Sequence, residues 1–405
     1  MEIAVVGGGP AGLRAAEVAA QAGAQVALYE SRPSAGRKFL VAGKGGLNLT
    51  HSEASGDFAR RYRGLEQPAG IWERLLAEFD PAALRAWAEG LGIETFVAST
   101  GRVYPRDLKA ASLLRKWIYR LRELGVQFHV RHRLAEIEQA ENEIALRFHG
   151  TDETVRVAAV VLAMGGGSWP ETGSDGTWVP ILERHGVAVH PLAPANCGWE
   201  VAWPQPVLAI AEGQPLKNVA VRAVSEQVTG ELLVTRYGLE GGAIYQLGAV
   251  LRAMDAPQVE IDFKPDVTAE QLERKLTGVK RDLWKTACER WKLSPAARAI
   301  LESGDASMAE MPIAELVRRV KSCVVLLRGP RPLAEAISSA GGVCWSELHE
   351  DLMLRKLPGV FVAGEMIDWE APTGGYLLQG AFSTGTCAGL AAAQWVKGRK
   401  HTPAA

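Results

Sequence analysis

Glu2-Ile3-Ala4-Val5-Val6-Gly7-Gly8-Gly9-Pro10-Ala11-Gly12-Leu13 is the stretch that decides the fold. A short apolar, β-branched run enters a glycine turn, and the turn opens a segment of helical composition that Gly23 stops. Gln25 to Tyr29 then reads as a second strand, ending at Glu30. This is a βαβ unit carrying G-x-G-x-x-G at Gly7, Gly9 and Gly12. Each glycine serves a distinct physical purpose. Gly7 makes the tight turn, Gly9 lets backbone approach a pyrophosphate, and Gly12 lets helix and strand pack closely. Pro10 and Ala11 complete the turn, and the helix start offers N–H groups and a positive dipole end to phosphates. Glu30 stands where a carboxylate accepts from a ribose diol. Its charge disfavours a 2′-phosphate, so the site suits FAD or NAD over NADP.

Outward from this unit, glycine marks the rest of the site. The chain has 43 glycines in 405 residues, well above the usual fraction of about 7%. They gather in clusters: Gly36-Arg37-Lys38 with Gly43-Lys44-Gly45-Gly46-Leu47-Asn48, then Gly165-Gly166-Gly167, then Gly364-Glu365 to Asp368 with Gly374-Gly375-Tyr376-Leu377-Leu378. The last cluster follows the strand-like Val360 to Ala363 and precedes an apolar helix rich in small residues. A helix start of this kind can face a flavin ring and stabilise negative charge on it. Only one dinucleotide fingerprint occurs. A nicotinamide, NADH or NADPH, would therefore dock transiently, or electrons would come from the substrate.

Between these clusters, Trp72 to Leu91 and Asp107 to Leu124 read as helices, and Val126 to Val130, Ile144 to Phe148 and Val155 to Met164 as strands. Prolines crowd in after His190, followed by short β-like runs and then a mostly helical stretch with a break at Ser303-Gly304-Asp305. The pattern predicts an α/β protein: a Rossmann-type FAD-binding domain at 1–190 and 335–405, interrupted by an inserted substrate or cap domain at 191–334. The insert reads as a β part over about 191–265 and a helical part over about 266–327.

Charge excludes several classes. With 45 basic and 46 acidic residues, no global field draws the chain to nucleic acid or an anionic membrane. No run of about 18 apolar residues offers a membrane span. The five cysteines form no C-x-x-C pair, which removes a cysteine-based zinc or iron–sulfur site. Scattered thiols and the absence of a leader-like start predict a cytoplasmic protein. Two local stretches are basic. Residues 101–133 carry nine Arg or Lys against Asp107 and Glu123, with Trp117 and Tyr119 interleaved, and residues 275–292 are similar around Trp284 and Trp291. Such stretches suit RNA contact, and equally suit amphipathic helices with solvated basic faces.

Val6 to Gly12, Gly36-Arg37-Lys38, Gly101-Arg102-Val103-Tyr104-Pro105, Gly341-Gly342-Val343, Gly364 to Asp368 and Gly374-Gly375-Tyr376 together resemble the BaiN/RdsA-like (YhiN) family of bacterial flavoproteins. The resemblance covers roughly 1–60, 100–110, 158–176 and 341–393. It implies an FAD domain with an inserted β-barrel-like domain and a small helical piece, FAD as cofactor, and activities that differ between members: reduction of a conjugated C=C in an enone, formation of dihydrouridine in ribosomal RNA, or oxidation of small amines. It departs from the family pattern at Gly46-Leu47-Asn48, where members carry Arg-Cys-Asn, and at Leu377, where members carry Asn.

The expected cofactor ligands are thus Gly7, Gly9, Pro10, Ala11, Gly12, Glu30, Arg37, Lys38, Asn48, Gly165, Gly364, Glu365, Asp368, Gly375, Leu377 and Leu378. The expected proton-transfer residues are Tyr376 and, after it, Lys44, with His51, Arg102 and Tyr104 nearby in the motifs. The leading reading is a flavin reductase of an activated C=C, in a uracil ring of RNA or in a small enone. A flavin oxidase of a small amine and a non-catalytic FAD-binding protein are the alternatives. The sequence leaves the oligomeric state open.

Overall fold

The computed structural model describes residues 2–140, 143–303 and 307–400. Gly304 and Asp305 of the expected helix break lie outside them. The chain divides into two compact units, one running to Ala193 and resuming at Ile337, the other spanning Pro194–Ala336.

The first unit is built on a parallel sheet. Its strands are β1 (Ile3–Val6), β2 (Val26–Glu30), β3 (Gln127–Val130), β4 (Ala159–Leu162) and β5 (Val360–Val362), in the order β5-β4-β1-β2-β3. Every neighbouring pair is parallel. The three central strands β1, β2 and β4 are buried along their whole length, as continuous apolar runs demand when both faces of a parallel sheet are covered. The helix α1 (Pro10–Gln21) connects β1 to β2, and α2 (Tyr376–Lys400) lies against it. The approach is close because α2 is glycine at the crossing. A Cβ on Gly385 would stand 2.4 Å from the Ala11 carbonyl oxygen, and one on Gly389 2.5 Å from that of Ala15.

Helix α1 carries a fully buried carboxylate. Glu17 accepts from Arg14 Nη1 (3.1 Å), Arg120 Nη1 (3.2 Å), Trp87 Nε1 (2.9 Å) and Trp117 Nε1 (3.0 Å). A charge buried without such donors would be costly. Here α1 is joined through it to the helices Pro81–Gly90 and Ala110–Glu123.

The structure refines several expected elements. The stretch expected as one helix over 72–91 is two, Ile71–Glu78 and Pro81–Gly90. Asp80 caps the second through Ala83 N–H at 2.7 Å, and Pro81 occupies its first turn. The helix expected from Asp107 begins at Ala110, with Asp107 accepting from Lys109 N–H and Ser112 Oγ ahead of it. The apolar run 155–164 is not one strand. Thr154–Val157 belongs to a three-stranded antiparallel sheet with Leu134–Gln139 and Ile144–Phe148, and the chain turns at Ala158 into β4. The first piece carries Thr154 and the exposed Arg156, whereas β4 is wholly apolar and buried.

The second unit holds a seven-stranded antiparallel sheet ordered Cys323–Leu326, Gln258–Asp262, Pro215–Ala223, Glu226–Thr235, Gly238–Glu240, Trp199–Glu200, Gly329–Pro330. The two outermost strands are consecutive in the chain, separated by residues 327 and 328. The three Cα steps from Leu326 to Gly329 reach no more than about 11 Å, so the two edges of the sheet are brought close together, as in a barrel-like form. Four helices, Ala269–Arg274, Leu283–Arg290, Pro295–Glu302 and Ile313–Lys321, share its core. The helical part expected to reach residue 327 ends at Lys321, because Cys323–Leu326 pairs with Gln258–Asp262 as a strand.

Candidate cofactor site

The glycine turn after β1 has the geometry its sequence requires. Gly7 adopts φ +111°, a region L side chains avoid, and a Cβ on Gly12 would meet the Gly7 carbonyl oxygen at 1.9 Å. Gly9 is different: a Cβ there would have no protein atom within 4 Å. The backbone at Gly9 is bare toward an open space, while Gly7 and Gly12 are tight against protein. That space is a cavity of about 450 Å³. It runs along the ends of β1, β2, β4 and β5 and is lined throughout by the first unit.

At one end stands Glu30, the last residue of β2. Its carboxylate accepts from Gly8 N–H (2.8 Å), Ser31 Oγ (3.1 Å) and Arg32 N–H (2.7 Å), which fixes its orientation. A carboxylate has about four acceptor positions, so capacity remains for a diol. Facing it is the segment Trp169–Ser174. A Cβ on Gly173 would lie 3.5 Å from Glu30 Oε1, and Ser174 Oγ and Arg32 Nε are buried without a protein partner among the described residues. The family resemblance spans this segment within 158–176, but Gly165 is the one residue of that stretch expected at the site. Trp169, with φ +61°, Thr172, Gly173 and Ser174 all line the cavity.

At the other end the lining is mostly apolar: Leu47, Gly374, Gly375, Leu377, Leu378 and Ala381, with Asn48. Gly375 has φ +103°, and a Cβ there would strike the Thr50 backbone at 2.4 Å. Asn48 Nδ2 donates to the Thr50 carbonyl (2.9 Å) and the Val103 carbonyl (3.0 Å), which leaves its Oδ1 buried with no donor among the described residues. Between the ends, Arg37 lines the cavity, and Lys38 donates to Ser168 Oγ (2.7 Å) and pairs with Glu365 (2.8 Å).

Most residues expected at the site therefore line one cavity: Gly7, Gly9, Pro10, Ala11, Glu30, Arg37, Lys38, Asn48, Gly165, Gly364, Glu365, Gly375, Leu377 and Leu378. Gly12 shapes the turn from behind. Three expected residues are placed elsewhere. Asp368 is buried away from the cavity, where its carboxylate accepts from Leu65 N–H at 2.9 Å. Burial raises its pKa, against the opposing pull of that hydrogen bond and of His190. Lys44 is exposed outside the lining. Tyr376 is buried and is not among the lining residues; its ring stacks on His51 (centroids 5.4 Å apart) and packs against Phe58, with its Cε2 3.4 Å from where a Cβ on cavity-lining Gly374 would stand. Burial and the neighbouring Glu53 carboxylate push its phenol far above the ordinary range.

Of the aromatics interleaved in the basic stretches, Trp117, Trp284 and Trp291 belong to the core and Tyr119 is exposed. Trp117 is fully buried on Glu17, Trp284 donates to Glu302 (2.6 Å) and Trp291 to the Leu272 carbonyl (3.1 Å). Arg106, Lys116, Arg120 and Arg133 are bound to Glu94, the Gly92 carbonyl, Glu17 and Asp175. Among the described residues no cluster of His, Cys, Asp or Glu could hold a metal, and no helix is long and apolar enough to cross a membrane.

Residues 1–391 match the profile of the HI0933-like protein Rossmann domain. The chain belongs to the HI0933-like family. Within and around that family it is 28% identical over 414 residues to the 3-dehydro-bile acid delta(4,6)-reductase of Clostridium scindens, across 97% of this chain and 99% of that protein. It is 26% identical over 393 residues to the ribosomal RNA dihydrouridine synthase of Escherichia coli, across 94% and 95%. Among solved structures, 3-ketosteroid-delta4-(5alpha)-dehydrogenase from Rhodococcus jostii superposes with TM-score 0.54 at 15% identity, over 97% of this chain and 96% of that one. The HI0933-like chain thus has a Rossmann-type FAD-binding enzyme fold. Its cavity fits that cofactor: a bare cradle at Gly9, orphaned polar atoms on Ser174, Arg32 and Asn48, and a carboxylate at the end of β2.

Proposed function

We propose that the protein is an FAD-dependent oxidoreductase that reduces a carbon–carbon double bond conjugated to a carbonyl, in a small enone. The observation that carries this is the apolar end of the cavity, where Leu47, Leu377, Leu378 and Ala381 adjoin the two glycines that open α2. A water-poor wall of this kind suits hydride chemistry. The two relatives lend support, since a Δ4,6-reductase and a dihydrouridine synthase both saturate such a bond.

In this reading Gly7, Gly9 and the start of α1 hold the pyrophosphate, Glu30 holds the ribose, and Asn48 Oδ1 accepts from a ring N–H. FAD, when bound, supplies the hydride-transferring ring. The first turn of α2, through Leu377 and Leu378, excludes water from one side, and its dipole favours negative charge there. Neither Tyr376 nor Lys44 lines the cavity, so solvent provides the proton that the second carbon needs. Electrons come from NADH or NADPH, which visits without a dinucleotide fold of its own.

The test is anaerobic reduction. The purified protein is yellow, and NADH or NADPH bleaches its absorbance near 450 nm. An added enone then restores the colour while it is itself saturated. A protein that bleaches only with an amine and recolours with oxygen is an oxidase. One that remains colourless after incubation with FAD has no flavin function.

A further inference from the structure

Residues 43–49 run beside residues 102–110 at the rim of the cavity. Leu47 N–H donates to the Leu108 carbonyl (3.0 Å) and Leu49 N–H to the Val103 carbonyl (2.9 Å), and a Cβ on Gly43 would lie 2.4 Å from Ala110 Cβ. Lys44 and Lys109, each one residue from that last contact, are therefore neighbours. Arg102 stands further along, where a Cβ on cavity-lining Gly374 would lie 3.6 Å from its Nε. Arg37, on the cavity wall, is a fourth cation. All four side chains are exposed, and none has a hydrogen-bond or ion-pair partner among the described residues. The acids nearby are engaged. Glu53 is held by Arg61, Glu94 by Arg106 and Glu365 by Lys38, while Asp107 accepts from Ser112 Oγ (2.5 Å) and Lys109 N–H (3.1 Å). The rim thus keeps a positive surplus in a chain of net charge −1.

Between the cations lies an apolar and aromatic surface. Tyr104, two residues beyond Arg102 and so on the same face of the strand Arg102–Pro105, brings its Cε1 to 3.8 Å from where a Cβ on cavity-lining Gly46 would stand. Phe96 stacks beside Tyr104 (centroids 5.9 Å apart), and Leu108 Cδ2 comes to 3.8 Å from the same point on Gly46. Phe96 and Leu108 are left exposed. Leu108 has φ +60°, uncommon for a branched side chain, and is fixed there by its own N–H on the Pro105 carbonyl (2.9 Å) and by Leu47 N–H on its carbonyl.

Aromatic faces interleaved with unpaired cations suit a nucleotide, whose base stacks while its phosphates pair. We infer that this rim docks the electron donor, and that it selects a nicotinamide dinucleotide bearing a 2′-phosphate, NADPH, over NADH. The inference rests on that part of the reductase reading in which a nicotinamide supplies the electrons. The nicotinamide enters at Gly374, Arg102 meets the pyrophosphate, the adenine stacks on Phe96 and Tyr104, and Lys44 and Lys109 hold the 2′-phosphate. Arg37 stays with the phosphates of FAD. A dinucleotide pyrophosphate carries about two negative charges and a 2′-phosphate adds about two more, so NADPH answers a surplus that NADH leaves partly unmet. The resident site has the opposite preference, because Glu30 repels a 2′-phosphate. The two nucleotides are thereby sorted by charge to separate places. In the transfer itself the dihydronicotinamide loses a hydride and leaves as NADP+, and the flavin takes that hydride with one proton from solvent.

The probes are NADP+ and NAD+, which cannot reduce the flavin, titrated calorimetrically into the oxidised yellow holoprotein. The wild type should bind NADP+ about tenfold more tightly than NAD+, the scale of a charge-assisted hydrogen bond. The preference should shrink as salt is raised. The double variant Lys44→Gln/Lys109→Gln should bring the two affinities together and leave that for NAD+ nearly unchanged. Arg102→Gln should weaken both alike and keep the preference. An unchanged flavin spectrum and melting temperature report that each variant is folded. Equal binding of NADP+ and NAD+ by the wild type, or a preference that survives the double variant, would overturn the site. Tighter binding of a uridine-rich RNA oligonucleotide than of NADP+ would overturn it too, since the cations would then serve RNA phosphates. Selective NADP+ binding by a protein that saturates no enone would instead overturn the reductase reading and leave the docking site standing.

Discussion

The Lys38 ammonium lies 2.8 Å from the Glu365 carboxylate, joining two walls of the cavity that stand 327 residues apart in the chain. Both residues were expected to meet the cofactor, and both line the cavity, but each is first of all the other's partner. The side chains are 26% and 16% exposed, so solvent screens the pair only in part. Lys38→Met should lower stability by about 1 kcal/mol and weaken FAD binding, and Glu365→Gln alone should do likewise. The double variant should recover part of the loss. A double-mutant cycle on thermal stability that shows no coupling would contradict the pairing.

The glycines of the first turn should separate fold from cofactor. In Gly12→Ala the new methyl meets the Gly7 carbonyl at 1.9 Å, so the apoprotein itself should be destabilised, by several kcal/mol or to the point of misfolding. In Gly9→Ala the methyl meets no protein atom, and the backbone angle, φ −80°, suits alanine. That apoprotein should melt within about 1 kcal/mol of wild type. Its FAD affinity should nevertheless fall by an order of magnitude or more, because the methyl enters the space the pyrophosphate needs. Equal FAD affinity in Gly9→Ala and wild type would remove the pyrophosphate from this turn.

Tyr376 gives a pH test of where its hydroxyl points. A phenol whose pKa is raised in the folded state holds its proton more tightly there than in the unfolded chain. Its contribution is fully present below the ordinary tyrosine value of about 10 and is lost as pH rises above it. Wild-type thermal stability should therefore fall as pH rises through about 10. Tyr376→Phe should fall less steeply, though not remain flat, because Tyr62 is raised by burial in the same way. If the two proteins lose stability in parallel over that window, the Tyr376 phenol is solvated rather than buried against Glu53.

The dinucleotide turn was fully legible in the sequence because its demands are local. A positive φ at Gly7 and a close approach at Gly12 can be met only by glycine, and an acid at the end of β2 sits at a set distance along the chain. The gathering of glycine clusters around one cavity was legible for the same reason. Side-chain direction was not. Tyr376, Leu377 and Leu378 are consecutive at the start of α2, and about 100° of helical turn per residue decides which of them faces the cavity. Asp368 looked like a ligand by its place after Gly364-Glu365, yet the short helical turn Gly364–Met366 carries it round to Leu65. The segment Trp169–Ser174 was missed because only its fold back onto Glu30, through Gly173 at φ +106°, makes it part of the site.

The buried Glu17 has a consequence for how the cofactor comes and goes. Four side-chain donors, one on the phosphate-cradling helix itself and three on two neighbouring helices, converge on it, and none of them lines the cavity. The cradle is thus braced from below by the protein's own bonds, independently of any ligand. Emptying the site should leave its shape standing, with refilling a docking event rather than a refolding one. The flavin should then be a part that can be swapped: stripped, replaced by an analogue and restored, with the chain folded throughout.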